Sequence, residues 1–126
     1  MLEFFEIKDF DGQANLYANY ITFSKALIEA LDDAYRVRVA VDKENKQIHF
    51  IKVTKDQALS KELDEKSLLK VGITKTYARV CSAKLMSFIF NSFGLSVVGK
   101  NFIKADAFYD EMKKTVIVDL SEVVEW

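Results

Sequence analysis

The sequence predicts an α+β fold: two tandem β-α-β-β units with an N-terminal hairpin, forming one pseudo-symmetric, mostly antiparallel sheet domain. Three observations predict it. Runs of β-favouring residues alternate with a period of two. Two apolar segments of helical spacing each follow a serine. The order of these elements then occurs twice, the mark of an internal repeat. Tyr20–Val53 reads as strand, serine-capped helix, strand, polar turn and strand, and Ala78–Ser121 reads the same way. Setting Ser24 against Ser82 places Leu27, Ile28 and Leu31 opposite Leu85, Met86 and Ile89. It also sets the turn Asp42–Lys46 against Asp110–Lys114. The 126 residues make a single domain, with repeat 1 at about 20–53, a polar linker at about 54–72 and repeat 2 at about 74–121. A chain of this length buries roughly two-thirds of its unfolded surface.

Leu2–Phe10 is aromatic and β-favouring, and it stops at the turn dipeptide Asp11-Gly12. Leu16–Phe23 follows as a second extended run, so the two are expected to pair as a hairpin. Ser24 precedes Lys25–Leu31, where Leu27, Ile28 and Leu31 share one helical face. Its hydroxyl is placed to accept from an orphan backbone N–H as an N-cap. Tyr35, Val37, Val39 and Val41 alternate with Arg36, Arg38 and Ala40, which describes a strand with one dry face. Ile48–Val53 returns after the polar turn. Lys55–Lys70 divides the repeats; Leu59 and Leu63, four apart, make part of it helical. Thr74–Cys81 opens the second unit, Ser82 caps its helix, and Gly94 is placed to end that helix in the left-handed conformation. Leu85, Met86, Phe88, Ile89, Phe90 and Phe93 cover more than half of its circumference, so it is expected to touch neighbours on two sides. Phe102–Tyr109 and Thr115–Ser121 close the unit as two strands.

Half of the residues are hydrophobic and 13% aromatic, which excludes a disordered chain. No apolar run is long enough to cross a bilayer. The start, Met1-Leu2-Glu3-Phe4-Phe5-Glu6, is acidic and lacks the basic opening of a secretory signal. One cysteine, Cys81, cannot form an internal disulfide, so a cytoplasmic protein is expected. With no proline, every segment can donate its full ladder of backbone hydrogen bonds. The net charge of −1 conceals a strong segregation. Residues 1–65 carry nine basic and thirteen acidic side chains, and residues 105–126 carry two basic and six acidic ones. Between them, Lys66, Lys70, Lys75, Arg79, Lys84, Lys100 and Lys104 stand without a single acid. A basic middle between acidic ends describes an anion-facing surface. It equally describes lysines that solvate one side of the second repeat.

Catalysis is not predicted. The single histidine, His49, lies within a strand and has no Cys, His or acid cluster of zinc-like spacing near it. Cys81 precedes the capping Ser82, where a helix N-terminus lowers a thiol pKa, but a lone strand cysteine is ordinarily a small packing residue. Gly12, Gly72, Gly94 and Gly99 form neither a P-loop nor a dinucleotide fingerprint. Ser24 and Ser82 lack a neighbouring base. The acid pairs Asp32-Asp33 and Asp64-Glu65 sit in a turn and the linker, as solvated charge does. Neither a cofactor nor a metal is expected.

Tyr20-Ile21-Thr22-Phe23-Ser24-Lys25-Ala26-Leu27-Ile28-Glu29-Ala30-Leu31, followed by Tyr35–Val41, Asp42–Gln47 and Ile48–Val53, resembles the AbrB/SpoVT-like swapped-hairpin module. A looser echo spans Ala78–Ser121. The resemblance implies a non-enzymatic, DNA-binding transcription regulator, built as an intertwined dimer or, here, as a monomeric pseudo-dimer from tandem duplication. Lys75, Arg79, Lys84, Lys100 and Lys104, joined by Arg36 and Arg38, would then neutralise phosphates of double-stranded DNA.

The alternative is a small protein-interaction module, an inhibitor or adaptor of phage or mobile-element origin. Its basis is the lack of catalytic groups together with segregated charge and many aromatics. If exposed, Phe4, Phe5, Phe10, Phe90, Phe93 and Trp126 would mark an interface.

Overall fold

The computed structural model describes residues 12–60, 63–99, 101–121 and 123. Leu2–Phe10, Lys100 and Trp126 lie outside the described residues, and with them the first arm of the expected hairpin. The chain is mostly antiparallel sheet with a few short helices. Its strands are β1 (Gly12–Leu16), β2 (Tyr20–Ser24), β3 (Arg36–Asp42), β4 (Gln47–Val53), β5 (Leu68–Leu69), β6 (Gly72–Ile73), β7 (Tyr77–Cys81), β8 (Ile103–Asp110) and β9 (Thr115–Asp119). A 3-10 turn at Lys25–Leu27 leads into α1 (Ile28–Leu31), a second 3-10 turn lies at Glu65–Ser67, and the other helices are α2 (Lys55–Leu59) and α3 (Ala83–Phe93).

Among the described residues, the nine strands belong to one sheet in the order β5-β3-β4-β9-β8-β1-β2-β7-β6. Laid flat, eight strand spacings would hold its edges about 38 Å apart. Yet the two edges, β5 and β6, are separated in the chain by Lys70 and Val71 alone. Three peptide steps reach at most about 11 Å. The sheet must therefore curl until its edges approach one another, and the run 68–73 joins them.

Curling gives the sheet an inside and an outside, and period-two alternation sorts the side chains between them. Leu16, Ile21, Phe23, Val37, Ile48, Phe50, Val80, Val116 and Val118 are buried in a single core. Phe23 and Phe50 meet edge to face with ring centroids 5.0 Å apart, a favoured aromatic geometry. Leu27 and Leu31 join from the first helical segment, Met86 and Ile89 from α3. Burying each such side chain contributes roughly 1.5–3 kcal/mol.

Several local expectations change. The run Leu16–Phe23 is broken: Tyr17 N donates to Tyr20 O at 2.8 Å, and this turn joins β1 to β2. Ser24 does not cap the first helical segment; its Oγ instead accepts from Gln13 N at 3.0 Å, across the β1–β2 pair. Ser82 does cap α3, accepting from Leu85 N at 3.1 Å, and Gly94 ends that helix at φ 66°. α3 is narrower in contact than expected, because Leu85, Met86, Ile89 and Phe93 are buried while Phe88 is 50% exposed. Phe90 is half-buried against the core, so neither it nor Phe93 is a free surface aromatic. The linker holds more than a polar spacer. Thr54 and Gln57 form a capping box on α2, and β5 and β6 supply both edges of the sheet.

The β3–β4 and β8–β9 turns share one geometry. Lys46 and Lys114 both take positive φ, 55° and 53°. Asp42 Oδ1 accepts from Asn45 N at 3.1 Å, and Asp110 Oδ1 from Lys113 N at 3.2 Å. Each turn also receives a backbone bond from the other hairpin's returning arm: Leu120 N, just past β9, to Lys46 O at 2.8 Å, and Lys52 N, near the end of β4, to Lys114 O at 2.9 Å.

Candidate nucleic-acid interface

Strand register aligns four polar side chains in one row. Lys104 stands opposite Asn15, Asn15 opposite Thr22, and Thr22 opposite Arg79. Directly paired residues share a face of the sheet. The sequence neighbours of all four point inward: Ala14, Leu16, Ile21, Phe23, Ala78, Val80, Ile103 and Ala105 are all buried. The row therefore lies on the outer surface and crosses three strand spacings, about 14 Å.

An aromatic ledge runs along one side of it. Tyr17 and Tyr20 flank the β1–β2 turn and stack with centroids 4.4 Å apart and planes 15° apart. Phe102, 41% exposed, continues the ledge 5.3 Å from Tyr17. At the other end the Arg79 guanidinium carbon lies 5.9 Å from the Tyr20 ring centre, within reach of a cation–π attraction. Asn15, Tyr17, Tyr20, Thr22, Tyr77 and Arg79 line an open cavity of about 340 Å³. No acid is among them. The Asn15 Oδ1 is buried and has no hydrogen-bond partner, an arrangement that costs roughly 1–3 kcal/mol.

Lys84 and Lys75 stand at the two ends of β7, beyond Arg79 on either side. Ser82 N donates to Asn19 O at 3.1 Å, which ties the start of α3, and Lys84 with it, to the Tyr17–Tyr20 turn. Lys75 is exposed in the turn between β6 and β7. Among the described residues no ion pair occupies Lys75, Arg79, Lys84 or Lys104. The acids begin one pleat away, where Gln13 faces Asp106 and Asp106 faces Asp119.

Arg36 and Arg38 do not join this row. They lie on β3, separated from β7 by the run 68–73. Arg36 donates to Tyr35 O at 2.7 Å and stacks over the Tyr35 ring at 4.3 Å. Arg38 is exposed between Ile51 and Leu68. Lys100 lies outside the described residues. Sequence reasoning missed Asn15, Tyr17, Tyr20, Thr22, Tyr77 and Phe102. The one local signal was the placing of Tyr17 and Tyr20 three residues apart.

A second cavity, of about 380 Å³, is lined by Asp33, Lys52, Gln57, Lys113 and Lys114 among others. Its central cation is already engaged, because Lys52 Nζ pairs with Asp33 and lies 3.5 Å from Tyr109 Oη. Burial pushes the Lys52 pKa down, but the Asp33 carboxylate and Tyr109 outweigh it and hold the ammonium above the usual lysine value. The His49 Nε2 is 3.1 Å from Gln47 Oε1, and His49 faces Ile117 on β9 and lines neither cavity. Cys81 is exposed opposite Tyr20. Compared with protein-family models, with curated proteins and with solved structures, the chain matches none.

Proposed function

We propose that this chain is a non-enzymatic nucleic-acid-binding protein, of the regulatory kind that the AbrB-like resemblance implies. Its binding face is the outer surface of β8, β1, β2 and β7. The observation that carries this reading is the row Lys104–Asn15–Thr22–Arg79, bordered by stacked tyrosines and free of acids in its cavity. Cations fix a phosphate backbone, and neutral amide, hydroxyl and aromatic groups meet sugar and base.

The same reading takes the chain as two fused β-α-β-β units, a monomeric pseudo-dimer. The matched turns with their reciprocal backbone bonds support it, as do the antiparallel pairings of β2 with β7 and of β4 with β9.

A salt titration tests the function. If Lys75, Arg79, Lys84 and Lys104 each neutralise one phosphate, log affinity falls with log salt at a slope of about −3.6 on a duplex and −2.8 on a single strand. Between about 50 and 200 mM salt that is a loss of roughly 50- to 150-fold. Fluorescence anisotropy that finds no binding at low salt, or binding with no salt dependence, would sink the proposal.

The second reading, a protein-interaction module, draws on Phe88, half exposed on α3, and on Val98, which is 88% exposed just beyond it. It predicts that Phe88→Glu abolishes self-association or partner binding without changing DNA affinity. Sedimentation of both proteins decides it.

A further inference from the structure

We infer, resting on the nucleic-acid reading above, that the face is built for a single strand, with one unpaired base seated in the cavity beside Asn15. A duplex hides its base faces inside its own stack, so an aromatic ledge gains nothing from it. Here the ledge is Phe102–Tyr17–Tyr20, with ring centres 5.3 and 4.4 Å apart, exposed at Phe102 and half-buried at the two tyrosines. It lies beside cations that point outward from the flanking strands, Lys104 on β8 and Arg79 on β7. Cations along a track with aromatic rings beside them are the arrangement by which single strands are held without sequence preference.

The cavity adds a second observation. Its volume of about 340 Å³ is at the small end for ligand sites and has room for a base. Its lining is chemically mixed. Tyr17, Tyr20 and Tyr77 supply aromatic rings, Thr22 a hydroxyl, and Arg79 a planar guanidinium that stacks as well as it binds phosphate. Asn15 supplies the amide whose Oδ1 has no donor. A phosphate cannot satisfy that oxygen, because it offers only acceptors. A base can, through an exocyclic amino group or a ring N–H, once the side chain turns this covered oxygen toward the cavity. The orphan acceptor thus favours a base over a phosphate in the cavity, and leaves Lys104 and Lys84 to the backbone on either side.

Anisotropy on the full chain tests this with three short DNA ligands of equal length: a single strand, its duplex, and a single strand with every base removed. Tighter binding of the intact single strand than of the duplex, by roughly tenfold or more, is expected, with a similar loss on the abasic strand. Tyr20→Ala should weaken the intact strand by roughly 5- to 150-fold and leave the abasic strand unchanged. Equal affinity for intact and abasic strands, or a duplex bound as tightly as the single strand, overturns the single-strand inference and leaves nucleic-acid binding standing. No binding of any ligand at low salt overturns both. The abasic comparison needs no variant, so it holds even where Tyr20→Ala fails to fold.

Discussion

Replacing Gly12 by alanine drives a methyl group into Ser24. A Cβ at Gly12 would lie 2.4 Å from Ser24 Oγ and 3.2 Å from Leu27 Cγ. The hydroxyl can rotate away, but only by surrendering the bond it accepts from Gln13 N, a loss of roughly 0.5–1.5 kcal/mol. Leu27 is fully buried, and crowding a packed core costs roughly 1–3 kcal/mol. Against these stands a gain of roughly 0.4–1 kcal/mol from a stiffer unfolded chain. The costs win, and Gly12→Ala is expected to destabilise by about 2 kcal/mol, or about 8 °C in Tm. Gly72 is the control. Its Cβ would meet only Arg79 O, at an ordinary 3.7 Å, so Gly72→Ala is expected to be neutral or to gain up to about 1 kcal/mol. Combining Gly12→Ala with Ser24→Ala should recover about 1 kcal/mol, because the hydroxyl has gone. Urea and thermal unfolding of the four proteins provide the readout. A neutral or stabilising Gly12→Ala would refute the packing of β1 against the first helical segment.

Ser82→Ala removes a true N-cap and should cost about 1 kcal/mol, with the loss of protection in hydrogen exchange confined to the first turn of α3. Ser24→Ala should leave exchange in the first helical segment unchanged and instead free the Gln13 amide. Asn45 donates to Asp42 through both its side chain and its backbone, and these bonds hold the Asp42 carboxyl below its usual value. A depressed carboxyl contributes stability above its ordinary pKa of about 4 and loses it as pH falls through the lower folded value. Asn45→Ala should raise the Asp42 pKa in a carbonyl-detected NMR titration; an unmoved value would refute the turn. Lys52 has the opposite sign. Its contribution is complete below about pH 10.4 and is lost as pH rises through its raised folded value. Asp33→Asn should lower the Lys52 pKa and shift that alkaline loss downward; an unchanged alkaline limb would refute the pairing.

What could be read from the residues alone follows the range of the forces involved. α3 was legible at both ends because the Ser82 cap and the left-handed Gly94 are local chemistry. β3 and β4 were legible because Val37, Val39 and Val41 alternate against polar neighbours. The break at Tyr17–Asn19 was hidden, since neither glycine nor proline marks it and the flanking residues favour strands. β5 and β6 were hidden too, because two-residue strands carry no period and gain their pairing only from distant β3 and β7. Ser24 showed a helix cap by position, but a tertiary neighbour, Gln13, holds its hydroxyl.

The candidate face divides in the same way. Its cations stood out as an acid-free stretch. Its neutral half did not, because Asn15 and Thr22 acquire meaning only when register sets them between Lys104 and Arg79. Arg36 and Arg38 share a strand face in the sequence, but the order of strands places them on a different arc of the curled sheet.

The claim that this face binds nucleic acid is tested most directly by a two-dimensional amide NMR titration of the labelled protein with a short DNA single strand at low salt. Shifts should concentrate at Asn15, Thr22, Arg79, Lys104 and the Tyr17–Tyr20 turn, while the β3–β4 turn at Asp42–Lys46 stays still. Shifts gathered around Arg36 and Arg38, or a spectrum that does not move at all, would contradict it.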